Sequence, residues 1–102
     1  MNRYREPTYT LYVRHCLRFY TRYPNITQFR NETDRLNWQA CHKAMQNYST
    51  LYRDILTYIY SEGDTLADNV YVISKKCGAN QDAIRALMRE FERVVAEERG
   101  LL

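Results

Sequence analysis

The stretch VYVISKKCGANQDAIRALMREF, residues 70–91, places one glycine between two runs of helical period. Leu66, Val70, Ile73 and Cys77 recur at intervals of four, three and four, which is one stripe of a helix over 66–77. Beyond Gly78, Asn80 is a good N-cap, and Ile84, Leu87, Met88, Phe91, Val94 and Val95 mark the inner side of a helix over 81–98. A glycine just past a helix commonly adopts the left-handed conformation in which a Cβ would clash. The stretch therefore reads as two helices joined by a short turn.

Upstream, Ser49 is the N-cap of a preceding helix in which Leu51, Ile55, Leu56 and Ile59 form a buried stripe, with Tyr52, Tyr58 and Tyr60 beside it. Ser61-Glu62-Gly63-Asp64 ends that helix, and Asp64 or Thr65 caps the next. Another helix is expected over 32–48, where Leu36, Ala40, Lys43 and Ala44 occupy neighbouring turns and Trp38, Cys41 and Met45 an adjacent set. Trp38 is expected in the core, because its large apolar area favours burial. The first helix is expected over 8–23, bounded by Pro7 and Pro24, with residues 25–31 as a connector. Its Tyr9, Val13, Cys16, Leu17 and Tyr20 share one face, and Arg14, Arg18 and Arg22 form a second stripe. No strand pattern and no internal repeat competes with this reading. The fold class is all-α: a single-domain bundle of about five helices over 1–102, with Arg/Tyr-rich helices in 1–48 and a trihelical part in 49–102.

A chain of 102 residues buries roughly 65% of the surface its unfolded form exposes, so a core forms without disulfides. Cys16, Cys41 and Cys77 are odd in number and far apart, as reduced core cysteines are. His15-Cys16 and Cys41-His42 are adjacent pairs pointing about 100° apart on a helix, so neither chelates a metal as a unit. No metal site and no cofactor is expected. The first ten residues hold no apolar run of signal-peptide length, and no window is long and apolar enough to span a membrane. A cytoplasmic location without a membrane partner is the expectation. Nucleophilic catalysis wants Ser or Cys beside His with an orienting acid, and phosphate chemistry wants a Gly-rich loop. Neither is found, and no enzyme activity is expected.

The formal charge of +3 is unevenly spread. Residues 1–48 hold eight Lys/Arg and three Asp/Glu, a balance of +5; residues 49–102 hold seven and nine, a balance of −2. Any long-range attraction to phosphate comes mainly from the first half. Ten tyrosines are present, and Tyr4, Tyr9, Tyr12, Tyr20 and Tyr23 alternate with Arg3, Arg5, Arg14, Arg18 and Arg22. Such residues suit protein interfaces and nucleic acid alike, and tyrosines half-buried at a domain rim are an equally ordinary arrangement.

A helix-turn-helix needs a small residue inside its first helix and apolar residues flanking the turn and recurring after it. Ser74, four before Gly78, fills the first slot; Cys77, Ala79, Ile84 and Leu87 fill the others. Residues 49–99 thereby resemble the helix-turn-helix family, and more narrowly the C-terminal DNA-binding region of sigma factors and the short phage late-transcription regulators similar to it. The resemblance implies a sequence-specific regulator of phage or mobile-element type that binds double-stranded DNA; a homodimer is expected because one such helix reads only a few base pairs. The resemblance also implies base contact by Asn80, Gln81, Asp82, Arg85 and Arg89 in the major groove. Lys75, Lys76, Arg14, Arg18 and Arg22 are the candidates for phosphate contact. The competing reading is a purely structural trihelical unit, with the Tyr/Arg-rich first helix binding a protein partner as an adaptor or inhibitor does. The negative balance of residues 49–102 favours that reading.

Overall fold

A computed structural model describes residues 6–102, so Arg3, Tyr4 and Arg5 lie outside the described residues. Five helices follow in order: α1, Thr10–Arg22; α2, Glu32–Met45; α3, Thr50–Ser61; α4, Leu66–Cys77; and α5, Gln81–Arg99. No strand occurs among the described residues.

The helix starts follow local chemistry. Asn31, Ser49, Thr65 and Asn80 each accept a backbone N–H of the first turn with the side chain, at Asp34, Tyr52, Asp68 and Asp82 respectively. Between the two expected caps of α4, the structure selects Thr65. α1 lacks a side-chain cap and begins later than expected, because Pro7 to Tyr9 are spent on a turn closed by the Thr10 N–H on the Pro7 carbonyl at 3.1 Å. α2 stops at Met45 rather than 48, and residues up to Tyr48 turn so that Arg53 can donate to the Tyr48 carbonyl at 2.8 Å. α4 ends at Gly78 with φ of +65°, where the N–H groups of Gly78 and Ala79 both close on the Ser74 carbonyl.

The core draws on every helix: Val13, Cys16, Leu17 and Tyr20; Ala40, Cys41, Ala44 and Met45; Ile55, Leu56, Ile59 and Tyr60; Val70 and Ile73; Ile84, Met88, Phe91, Val95 and Ala96. α5 lies chiefly against α2 and also touches α1 and α4, while α1 packs on α2 and α3. The radius of gyration of 13.6 Å is close to the ~13 Å of a compact 100-residue domain, so the described chain forms one globule.

Three positions of the expected stripes are not covered. Leu51 is 60% exposed and Leu36 sits at the surface, and Cys77, expected among core thiols, is exposed. Leu51 and Cys77 are in the first and last turns of their helices, where the stripe continues but the neighbouring elements end. Trp38 is partly buried at the core's edge, stacked on His42 with ring centroids 4.8 Å apart and donating Nε1–H to the Tyr23 carbonyl.

Candidate functional site

The three residues between α4 and α5 set how α5 begins. Gly78 supplies the left-handed turn, Ala79 packs against the core, and the Asn80 side-chain oxygen caps Asp82 N–H at 2.7 Å. The side-chain Oδ1 of Asn80 is thereby committed to the cap, which leaves its amide NH2 as the group able to donate. Gln81 is half-buried, and Asp82, Arg85 and Arg89 are exposed. A carboxylate at Asp82 suits the positive end of the helix dipole.

Arg85 and Arg89, one turn apart, enter a cleft between α1, α4 and α5 whose volume is about 260 Å3. Leu66, Val70 and Met88 give it apolar walls, and Arg14 reaches it from α1. A neighbouring hollow shares Arg14 and Leu66 and adds Leu11, His15 and Arg18. The structure thus joins two arginine rows that are about 70 residues apart in sequence. The other phosphate candidates stand elsewhere. Lys75 lies over the Tyr71 ring and Lys76 over the Tyr58 ring, at 5.3 and 5.0 Å, and Arg22 donates Nε–H to the Ser61 carbonyl at 3.4 Å.

Arg14 is not a simple solvated cation. Its Nε–H donates to Glu92 Oε2 at 2.9 Å, and the Tyr60 hydroxyl donates to the same oxygen at 2.6 Å. Glu92 is 2% exposed, so the carboxylate of α5 is clamped from α1 and α3 inside the fold. Burial works against the Arg14 cation, but the Glu92 hydrogen bond and charge outweigh it and hold the guanidinium above its ordinary pKa. Burial also pushes the Tyr60 phenol well above its ordinary range, reinforced by the Glu92 charge. A second junction forms at Asn37, whose Oδ1 accepts from Tyr12 of α1 at 3.0 Å and Arg99 of α5 at 2.6 Å.

Glu92 is one of the nine acids behind the negative balance of residues 49–102, yet its charge is held inside the fold. Its place was legible in part: it falls four residues after Met88 and three before Val95, on the inner stripe of α5. Nothing local points to Arg14, 78 residues away, as its partner.

Among the described residues, no group of three His, Cys, Asp or Glu side chains is placed to hold a metal, and no helix is long and apolar enough to cross a membrane. No protein-family model, curated protein or solved structure significantly matches the chain.

Proposed function

We propose that the protein binds duplex DNA, with α4, the Gly78 turn and α5 acting as a helix-turn-helix and α5 as its reading helix. The observation that carries this reading is the shared furrow. Arg85 and Arg89, exposed early in α5, line one cleft with Arg14 of α1, and Arg18 lines the neighbouring hollow that Arg14 also borders. In this reading Arg85 and Arg89, with Gln81, Asp82 and the Asn80 amide, face base edges, while Arg18 contacts phosphate. Arg22, Lys75 and Lys76 stand away from the furrow and add only longer-range positive charge, and Arg14 mainly fixes α1 to α5 through Glu92. The internal pairing of Glu92 takes one negative charge away from the surface that DNA would meet. A homodimer reading two half-sites, as regulators of phage or mobile-element type do, supplies the specificity that one short helix lacks.

Fluorescence anisotropy against pools of random duplex at physiological salt tests this. Arg85→Ala lowers discrimination between sequences by about 1–3 kcal/mol, whereas Arg18→Ala weakens all duplexes alike and flattens the salt slope by about one. Unchanged affinity in both variants ends the DNA reading.

One observation favours a protein partner instead. Leu11 is 76% exposed on the outer face of α1, next to Tyr12, Arg14 and Arg18. An apolar residue within a Tyr/Arg surface is the composition of an interface centre. Under that reading Leu11→Ala sharply weakens partner capture and, because it adds no charge beside Arg18, leaves any DNA affinity little changed.

A further inference from the structure

We propose that the protein associates with further copies of itself head to tail, the outer stripe of α1 on one copy docking in a groove between α3 and α5 on the next. The proposal rests on the reading of the Leu11 surface as a protein interface, and it names the partner.

The stripe is Leu11, His15, Arg18 and Arg22, spaced four, three and four residues apart and all exposed. Leu11 is 76% exposed, α1 contains no acid, and Arg18 takes part in no ion pair among the described residues. The stripe therefore presents an apolar knob followed by uncancelled positive charge.

The groove has a volume of about 360 Å3. Ile55 and Ile84 close its floor and are already covered. Its wet apolar surface comes from Tyr52, which is 47% exposed, from exposed Ala83 and Ala86, and from half-buried Ala79 and Leu87. Among the described residues, Glu90 is the one charged residue that lines it, and Glu90 has no ion-pair partner. The nearby cations are turned elsewhere: Arg53 donates to the Tyr48 carbonyl, and Arg85 and Arg89 line the cleft on the other flank of α5.

Charge and spacing pick the occupant. Leu11 and Arg18 are seven residues apart on α1, as Ala83 and Glu90 are on α5. Seven residues advance about 10.5 Å along a helix and return close to the same face. Laid parallel to α5, α1 of a second copy sets Leu11 beside Tyr52 and Ala83 while Arg18 reaches Glu90. The two patches share no residue and lie at opposite ends of α3, with Tyr52 lining the groove and Tyr60 the hollow that Leu11 and Arg18 border. One copy can thus give its stripe and receive another's at once, so the contact is heterologous and extends beyond two copies. A docked Arg18 is no longer free for phosphate, and association competes with that contact.

Sedimentation equilibrium of the full chain, without DNA, tests this. The average mass is expected to rise with concentration, with a Kd on the order of 100 μM for a contact with one apolar anchor and one charge pair. Salt at about 1 M, which shortens the Debye length to ~3 Å, weakens it. Leu11→Ala and Ala83→Arg each stay monomeric near the wild-type Kd, because one removes the knob and the other fills and charges its seat. Mixed in equal amounts they form a dimer and nothing larger, since one stripe and one groove remain intact between them. Arg18→Glu and Glu90→Arg each weaken association about tenfold, and both together in one chain restore it. All four positions are exposed, so unchanged circular dichroism is expected in each variant. A monomeric wild type, full association in either Leu11→Ala or Ala83→Arg alone, a mixture that stays monomeric, or no rescue by the double reversal overturns the proposal. Leu11 as an interface for a different protein is read separately, by comparing pull-down with the wild type and with Leu11→Ala.

Discussion

The later part of α5 buries Phe91, Glu92, Val95 and Ala96 inside the bundle, whereas its first turn leaves Asp82, Ala83 and Arg85 in water. Both parts carry charge, but they use it differently. At Glu92 one carboxylate oxygen holds α1 and α3 to α5 at 2.9 and 2.6 Å, so the charge fixes the fold. At Arg85 the charge stands open at a cleft and contributes little to folding. One continuous helix thus has an anchored end and a presented end, and the difference lies in whether a partner of opposite sign is already built into the protein.

The comparison breaks most sharply at Arg14. Arg14→Leu leaves the Glu92 carboxylate buried without its cation and should cost about 3–5 kcal/mol in urea unfolding. If the loss is below about 1 kcal/mol, the anchored end does not depend on this pair. Alkaline pH attacks the same end. The buried Tyr60 phenol titrates well above 10.0 in the folded chain and near 10.0 when unfolded, so its contribution is complete below about pH 10 and is lost as pH rises past it. Cys16, pushed up to about 11 by burial, acts in the same direction from its ordinary 9.0 upward. Unfolding midpoints should therefore fall above pH 9; Cys16→Ala should flatten the decline between 9 and 11, and Tyr60→Phe the part beyond 10.

The presented end responds less. A Cβ on Gly78 meets nothing within 4 Å, so Gly78→Ala pays only for left-handed backbone, about 1–2 kcal/mol, and Gly78→Asn less. Asn80→Ala removes the cap of α5 and should cost about 1 kcal/mol, with the loss seen first as faster amide exchange in the first turn of α5. The smallest effect belongs to the exposed Arg93–Glu97 pair: Arg93→Ala should change stability by less than about 0.5 kcal/mol. A larger loss there would show that the outer face of α5 is more than a solvated surface.

The sequence made the local features of this fold readable and left the distant pairings hidden. Ser49, Asn80 and Gly78 act through neighbours a few residues away, and each holds the place that its chemistry dictates. Periodicity told which face of a helix turns inward but not how far its cover extends, and Leu51 and Cys77 lie past that edge. The candidate cleft was the least legible part. Arg14 and Arg85 were each notable, yet their meeting depends on α1 packing beside α5 across Leu66 and Val70, which no local pattern encodes. Asn69 is a similar case: it is fully buried, and its amide donates to the Ile59 carbonyl at 2.9 Å, securing the end of α3 from α4.

The cysteines also differ in access, with Cys16 and Cys41 enclosed and Cys77 exposed immediately before Gly78. A maleimide dye should accordingly attach once to the native protein, beside the turn, while the other two sulfurs react only after the interior opens. Mass spectrometry of labelled chains then counts one adduct for the folded state and three for the unfolded state. The wild-type sequence carries its own reporter of global opening.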